Sequence, residues 1–213
     1  MKKTAWIFFV IGILYASYLL LLLSLPYLEM RRGIDFLKTK QFIYHIKHWR
    51  YSFYIHVFTS ILIITSGLFQ FSKTILSSYP KIHRISGFIY LTVTLLISGP
   101  AALVMSFYAN GGYPAQTSFV ILSILWIGST FLAYHYVRKK DYERHGKWMV
   151  RSYALTLSAV SLRLYSYLFD VFHLRMDPTD LYILLSWLSW TLNLVAAEIF
   201  IRRGLVKRLL ANR

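Results

Sequence analysis

The chain has 213 residues, 57% of them hydrophobic and 15% charged, and its mean hydropathy is +0.50. Soluble domains seldom combine these values, and the apolar residues fall in blocks long enough to cross a hydrocarbon core of ~30 Å as helices. The net charge of +16 is concentrated between these blocks, as in membrane proteins with basic cytoplasmic loops, so it does not indicate a nucleic-acid partner. Cysteine is absent, which excludes disulfides, thiolate metal sites and cysteine nucleophiles. We therefore expect an integral membrane protein whose main partner is the lipid bilayer.

Apolar segments predict an all-α membrane bundle of six transmembrane helices. In chain order they span residues 5–27, 51–71, 85–108, 117–137, 148–169 and 181–201. The apolar run of the first segment is too long for a signal peptide and no cleavage site follows it, so we expect it to remain as an anchor helix. The distribution of lysine and arginine predicts that both termini are cytoplasmic, because the basic segments 72–84, 138–151 and 202–213 then share the inner side.

The segment 28–50 is predicted to lie outside although it is basic. Its apolar residues recur at roughly helical spacing with charges between them, which favours an amphipathic helix along the outer interface. These residues are Phe36, Leu37, Ile43, Ile46 and Trp49. A flexible extracellular loop is the alternative. The predicted organisation is an N-terminal region 1–50, a five-helix membrane core 51–203 and a basic cytoplasmic tail 204–213.

Polar residues inside the last two segments form a candidate polar core. An ionisable group at the centre of a span costs at least ~2.5–3.5 kcal/mol, so such groups normally face the bundle. At ~1.5 Å per residue, Arg151 and Glu198 lie at a similar inner depth and are predicted to pair. Arg163 lies about 18 Å further out. It is predicted either to snorkel or bond backbone carbonyls, or to contact an anion. Asn193 is the fourth residue of the candidate polar core.

Histidines near the ends of different helices suggest a cofactor site. His83, His135 and His145 are predicted at the cytoplasmic level and His56 at the outer level. Facing histidines on neighbouring helices are what a bis-histidyl b-type haem requires. His83 and His145 are therefore the candidate ligands of the metal, with His56 and His135 as further cofactor-binding candidates. Structural capping, another buried metal and a proton-transfer role are the alternatives.

Several motifs together resemble a bacterial family of multi-pass membrane proteins, domain of unknown function 2306. The motifs are PKIHRISGFIY (80–90), SGPAALVM (98–105), RHGKWMVRSYALT (144–156), SLRLY (161–165) and WTLNLVAAE (190–198). The residues that match the pattern of the family are His56, Gln70, His83, Arg84, Gly87, His145, Trp148, Met149, Arg151, Arg163, Asn193 and Glu198. The resemblance implies a bacterial inner-membrane location. The layout of histidines on successive helices is also similar to that of the cytochrome b561 and ferric-reductase families, as an analogy of architecture.

These observations support two functional hypotheses. The first is a transmembrane redox protein that binds haem b through His83 and His145. The second is a transporter, or a membrane binding or assembly factor, that uses the polar core. The sequence assigns no enzyme activity and names no substrate, membrane protein partner or oligomeric state.

Overall fold

The computed structural model describes residues 3–211, which are almost entirely helical. Helix accounts for 84% of the structure, and the described residues contain no strand, so the all-α prediction is confirmed. The helices are α1 (Lys3–Ser24), α2 (Lys47–Phe69), α3 (Lys73–Ser78), α4 (Pro80–Thr92), α5 (Gly99–Ser106), α6 (Gly112–Arg138), α7 (Tyr142–Thr156), α8 (Ser158–Val171), α9 (Pro178–Arg202) and α10 (Leu205–Leu210). Met1 and Lys2 of the predicted anchor, and Asn212 and Arg213 of the predicted tail, lie outside the described residues.

Among residues 3–211, five helices are long and apolar enough to cross a bilayer. They span Trp6–Glu29, Lys47–Phe69, Pro80–Ser106, Gly112–Arg138 and Pro178–Arg202. The predicted fifth segment, 148–169, is not one long helix, because α7 and α8 meet at Leu157 and contain only 15 and 14 residues. The chain is thus a membrane protein with several spanning helices.

The helices form two compact units. The first comprises residues up to Ala101 together with those from Gly204 onward, and the second comprises Ala102–Arg203. In the first unit α1 and α4 pack against α2, and in the second unit α6, α7 and α9 pack against one another while α8 lies on α9. The division predicted from sequence at residues 50 and 203 stays a prediction.

The segment that follows α1 differs from the predicted amphipathic helix. It contains 3-10 helices at Leu25–Glu29 and Asp35–Lys40, with turns up to the start of α2. Left-handed backbone at Met30 (φ 51°) and Asp35 (φ 36°) prevents a continuous helix here. Aromatic side chains then fold the segment back on itself, because the hydroxyl of Tyr44 donates to the carbonyl of Met30 and Tyr27 packs edge-on against Phe53.

Burial of Lys40 in this segment predicts a pH-dependent stability. Its side chain is 4% exposed and its ammonium lies 5.4 Å from the ring centre of Phe36, and desolvation lowers the pKa of Lys40 from 10.5 to about 8. Between these values the unfolded chain binds more protons than the folded one, so stability should rise from about pH 8 to pH 10.5. We expect the Tm to rise by several degrees over this range. The rise should vanish in Lys40→Met and persist in Lys38→Met, where the substituted side chain is exposed. An equal rise in all three proteins would contradict the assignment.

Candidate polar core and histidine sites

An ion pair inside the second unit joins α7 to α9. Arg151 Nε donates to Glu198 Oε1 at 2.5 Å and Arg151 Nη2 donates to Glu198 Oε2 at 3.0 Å, a bidentate geometry. The side chains are 23% and 39% exposed, and the guanidinium lies 4.5 Å from the ring centre of Trp148. The pairing predicted from helical rise is confirmed. The pair thus links α7 to the candidate spanning helix α9.

The junction between α7 and α8 is stabilised by a side chain from α9. In a continuous helix the carbonyl of Ala154 would accept from the amide of Ser158, whereas here it accepts from Asn193 Nδ2 at 3.1 Å. Asn193 Oδ1 in turn accepts from Ser161 Oγ at 2.9 Å, one turn into α8. A side chain that takes a backbone carbonyl in this way interrupts the helical ladder. Asn193 therefore bridges the two sides of the break at Leu157.

Hydroxyl groups surround the last turn of α7. Trp126 Nε1 donates to Thr156 Oγ1 at 2.9 Å, and the Thr156 hydroxyl donates to the carbonyl of Ser152 at 3.1 Å. The same bond from a threonine hydroxyl to the carbonyl four residues earlier occurs at Thr130 within the continuous helix α6, so it does not by itself break a helix. Thr130 Oγ1 lies 2.7 Å from Ser152 Oγ, and both residues are buried. Sequence reasoning missed this network, and its only signal was a run of serine, threonine and tryptophan positions at helical spacing.

Arg163 does not join the other members of the predicted polar core. Its side chain is exposed on α8, and Nη1 donates to the carbonyl of Ala159 at 2.9 Å. The predicted bond to a backbone carbonyl is thus confirmed, and the alternative of an anion contact stays a prediction. The structure brings together Arg151 with Glu198, and Asn193 with the helix break. It places Arg163 beside a cleft near the α8–α9 turn.

The candidate histidines are divided between the units. In the second unit His145 Nδ1–H donates to the carbonyl of Ala133 at 2.8 Å, which ties the start of α7 to α6, and His135 lies edge-on to the ring of Tyr136. In the first unit the carbonyl of His83 accepts from Gln70 Nε2 at 3.2 Å. Within residues 3–211 no group of three or more His, Asp or Glu side chains is arranged to hold a metal ion.

His56 faces a π-helical turn in the first unit. The turn, Val93–Ser98, joins α4 to α5, and Ser98 Oγ lies 2.9 Å from His56 Nδ1. Thr94 and Ser98 are fully buried on this turn. Single π-helical turns commonly occur at functional sites. The contact fixes the orientation of His56 on α2, and this half-buried histidine belongs to a polar contact rather than to the lipid-facing surface.

Close contact between α2 and α4 explains Gly87. Gln70 Nε2 donates to Ser86 Oγ at 2.7 Å as well as to the carbonyl of His83, and a Cβ at position 87 would lie 3.0 Å from Gln70 Oε1. Because two hydrogen bonds hold the side-chain amide of Gln70, the amide cannot move away from an added Cβ without losing one of these bonds. Gly87 is therefore required for close packing.

We expect Gly87→Ala to destabilise the protein by about 1–2 kcal/mol through overpacking. Gly128→Ala is the matched control, since no atom lies within 4 Å of its Cβ position in α6, and it should be neutral or stabilising by up to about 1 kcal/mol. Thermal unfolding in detergent measures both. Equal Tm values for the two variants would show that the Gln70 amide moves aside without cost to stability, which would contradict the prediction.

Comparison with known proteins gives one match. A family model described as predicted membrane protein, domain of unknown function 2306, matches residues 53–201. Searches of curated proteins and of solved structures gave no match. The comparisons thus lend no support to the similarity to cytochrome b561-like proteins.

Proposed function

The chain belongs to the family of predicted membrane proteins called domain of unknown function 2306, and we propose that it is a multi-pass transporter of a small polar solute. Its site is the polar core of the second unit, which comprises the Arg151–Glu198 pair and Asn193 at the break between α7 and α8. The proposal includes a bacterial inner-membrane location, six crossings and cytoplasmic termini.

The contacts of α7 and α8 with α9 support a sixth crossing. Arg151 meets Glu198 near the end of α9, Ser161 meets Asn193 near its middle, and Leu162 shares a cleft with Leu181 near its start. The pair α7–α8 therefore runs antiparallel to a helix that is itself long and apolar enough to span. The broken helix would cross the bilayer alongside α9, although neither half is long enough to do so alone.

The bond from Asn193 to the carbonyl of Ala154 is the observation that carries the transport proposal. Interrupted helices within a bilayer are tolerated where the freed backbone groups are paired within the protein or line a cavity, and transporters form substrate and ion sites at such breaks. The bidentate pair of Arg151 with Glu198 lies nearly two turns before the break, and it joins α7 to the same helix α9 that carries Asn193. A small solute with its own charge can exchange with one partner of that pair.

A ligand screen followed by uptake measurements tests the proposal. Detergent-purified protein is heated with amino acids, dicarboxylates, phosphates, nucleosides or alkali cations, and any stabilising solute is then tested for uptake into proteoliposomes. We expect one solute class to raise the Tm of the wild type, and its uptake to be lost in Glu198→Gln. Uptake should persist in Glu143→Gln. This control alters a different ion pair of α7, in which Glu143 Oε1 lies 2.6 Å from Lys147 Nζ. Failure of every class to stabilise the wild type, with no uptake, would remove the proposal.

Haem binding stays a prediction with its own test. The bond from His145 Nδ1–H to the carbonyl of Ala133 sets the tautomer whose lone pair is on Nε2, the form of histidine that ligates iron. Protein purified from haem-replete cells should then show a Soret band that is lost in His145→Ala. His135→Ala is the comparison variant, because His135 is a cofactor-binding candidate but not one of the two candidate ligands of the metal. Colourless protein from haem-replete cells would contradict haem binding and leave the transport proposal unaffected.

A further inference from the structure

A cleft of about 710 Å³ lies in the second unit where α8 turns into α9. Its charged or titratable lining comprises Arg163, Tyr167, Asp170, His173 and Arg175. Two guanidinium groups against one carboxylate leave the cleft net positive. This volume is within the range of roughly 300–1,000 Å³ that small-molecule sites occupy.

The remaining walls of the cleft are mostly apolar. They include Leu162, Phe169, Leu174 and Leu181. Leu181 belongs to the first turn of the spanning helix α9, so this end of the cleft lies at the level where the span begins. A ligand with a compact anion and an attached apolar part would contact both kinds of wall.

Arginine is the side chain suited to such an anion. Its planar fork donates parallel hydrogen bonds to phosphate oxygens, and these charge-assisted bonds are stronger than neutral ones. Arg163 is placed for this role by its bond to the carbonyl of Ala159, which fixes the guanidinium beside the cleft.

We infer that this cleft binds a phosphate group through Arg163 and Arg175. The phosphate is carried by a lipid headgroup or is free in solution. Both sources present the same oxyanion, and only the lipid also covers the apolar wall. The inference is separate from the transport proposal, because it uses neither the Arg151–Glu198 pair nor Asn193.

His173 supplies a variant that removes a lining side chain without harming the fold. It lies just beyond α8 with φ 51°, and the amide of Leu174 donates to the carbonyl of Phe169 at 2.9 Å, as in a Schellman cap. Glycine is the preferred residue at this left-handed position. His173→Gly should therefore keep or raise the Tm while opening the cleft.

Native mass spectrometry of delipidated protein tests the inference. The ligands are phosphatidylglycerol, diacylglycerol with the same acyl chains, and inorganic phosphate as a competitor. We expect phosphatidylglycerol to bind and diacylglycerol to bind at least 10-fold more weakly, and Arg163→Gln and Arg175→Gln each to weaken lipid binding about 10-fold or more. Arg144→Gln is the matched charge control, since Arg144 lies at the start of α7 and pairs with Asp141. It should bind as the wild type does.

Each outcome has a defined meaning. Preference for phosphatidylglycerol, lost in both cleft variants and kept in Arg144→Gln, supports a lipid headgroup. Displacement of the lipid by millimolar inorganic phosphate, together with direct phosphate binding lost in the same variants, supports free phosphate as the source. Equal binding of phosphatidylglycerol and diacylglycerol, or equal loss in Arg144→Gln and Arg163→Gln, overturns the inference. Tm values of Arg163→Gln and Arg175→Gln equal to that of the wild type show that the loss of binding is measured on folded protein.

Discussion

Glu198→Gln is expected to lower the free energy of unfolding by about 2–3 kcal/mol, because it leaves the Arg151 guanidinium within the bundle without its charged partner. For a chain of this size the corresponding fall in Tm is roughly 4–12 °C. Differential scanning fluorimetry in one detergent measures it. Arg151→Met should lower the Tm by a similar amount, since it leaves the Glu198 carboxylate without its charged partner.

The double variant Arg151→Met with Glu198→Met separates stability from function. Replacing both partners of a partly buried pair with apolar groups is often neutral, so we expect its Tm to lie close to that of the wild type while uptake is lost. Glu143→Gln on the exposed part of α7 should change stability by no more than about 1 kcal/mol. Additive losses in the double variant would show that the two side chains do not interact.

Asn193→Leu is expected to destabilise the protein by about 2–4 kcal/mol, because it removes the partners of the Ala154 carbonyl and the Ser161 hydroxyl together. The fall in Tm should again reach several degrees. Leucine is apolar and close in size to asparagine, so the loss reports the two hydrogen bonds rather than a cavity.

Thr191→Val is the control on the same helix. The hydroxyl of Thr191 donates only to the carbonyl of Trp187 within α9 at 2.8 Å, and valine keeps its shape. We expect a change of less than about 1 kcal/mol. An Asn193→Leu variant as stable as the wild type would mean that the Ala154 carbonyl finds another partner, and that Asn193 does not maintain the break.

The pairing of Arg151 with Glu198 could be predicted because it depends on two simple quantities. Charges avoid hydrocarbon, and helical rise fixes depth along a span, so two opposite charges at one depth on consecutive helices have few other partners. The same reasoning does not give the direction in which a side chain points around a helix. Helical rise also predicts that Arg163 lies about 18 Å further out, and the structure places it beside the cleft at the α8–α9 turn.

The break at Leu157 could not be predicted from the sequence of α7 and α8. Neither glycine nor proline occurs near it, and the usual sequence markers of a kink are absent. Its cause is the bond from Asn193 of α9, which depends on tertiary contact. The apolar pattern of 148–169 therefore predicted one helix.

The segment before α2 shows the same limit. Helical spacing of Phe36, Leu37 and Trp49 favoured an amphipathic helix, but the pattern does not report backbone conformation at Met30 and Asp35. The tertiary packing of Tyr27 and Tyr44 decides the conformation instead. Spanning helices are predicted more reliably than such segments. The bilayer restricts a spanning segment to the helical conformation, whereas a segment outside the hydrocarbon can adopt many conformations.

Cross-linking between α8 and α9 is the most direct test of a polar core built at a helix break. The natural chain has no cysteine, so Ser161→Cys with Asn193→Cys can be made without further changes. In native membranes a short bis-methanethiosulfonate reagent should join this pair, and mass spectrometry should identify the linked peptides. Ser161→Cys with Val195→Cys, whose second position is 56% exposed, should remain largely unlinked. Equal linkage of both pairs, or none at 161 and 193, would contradict the account.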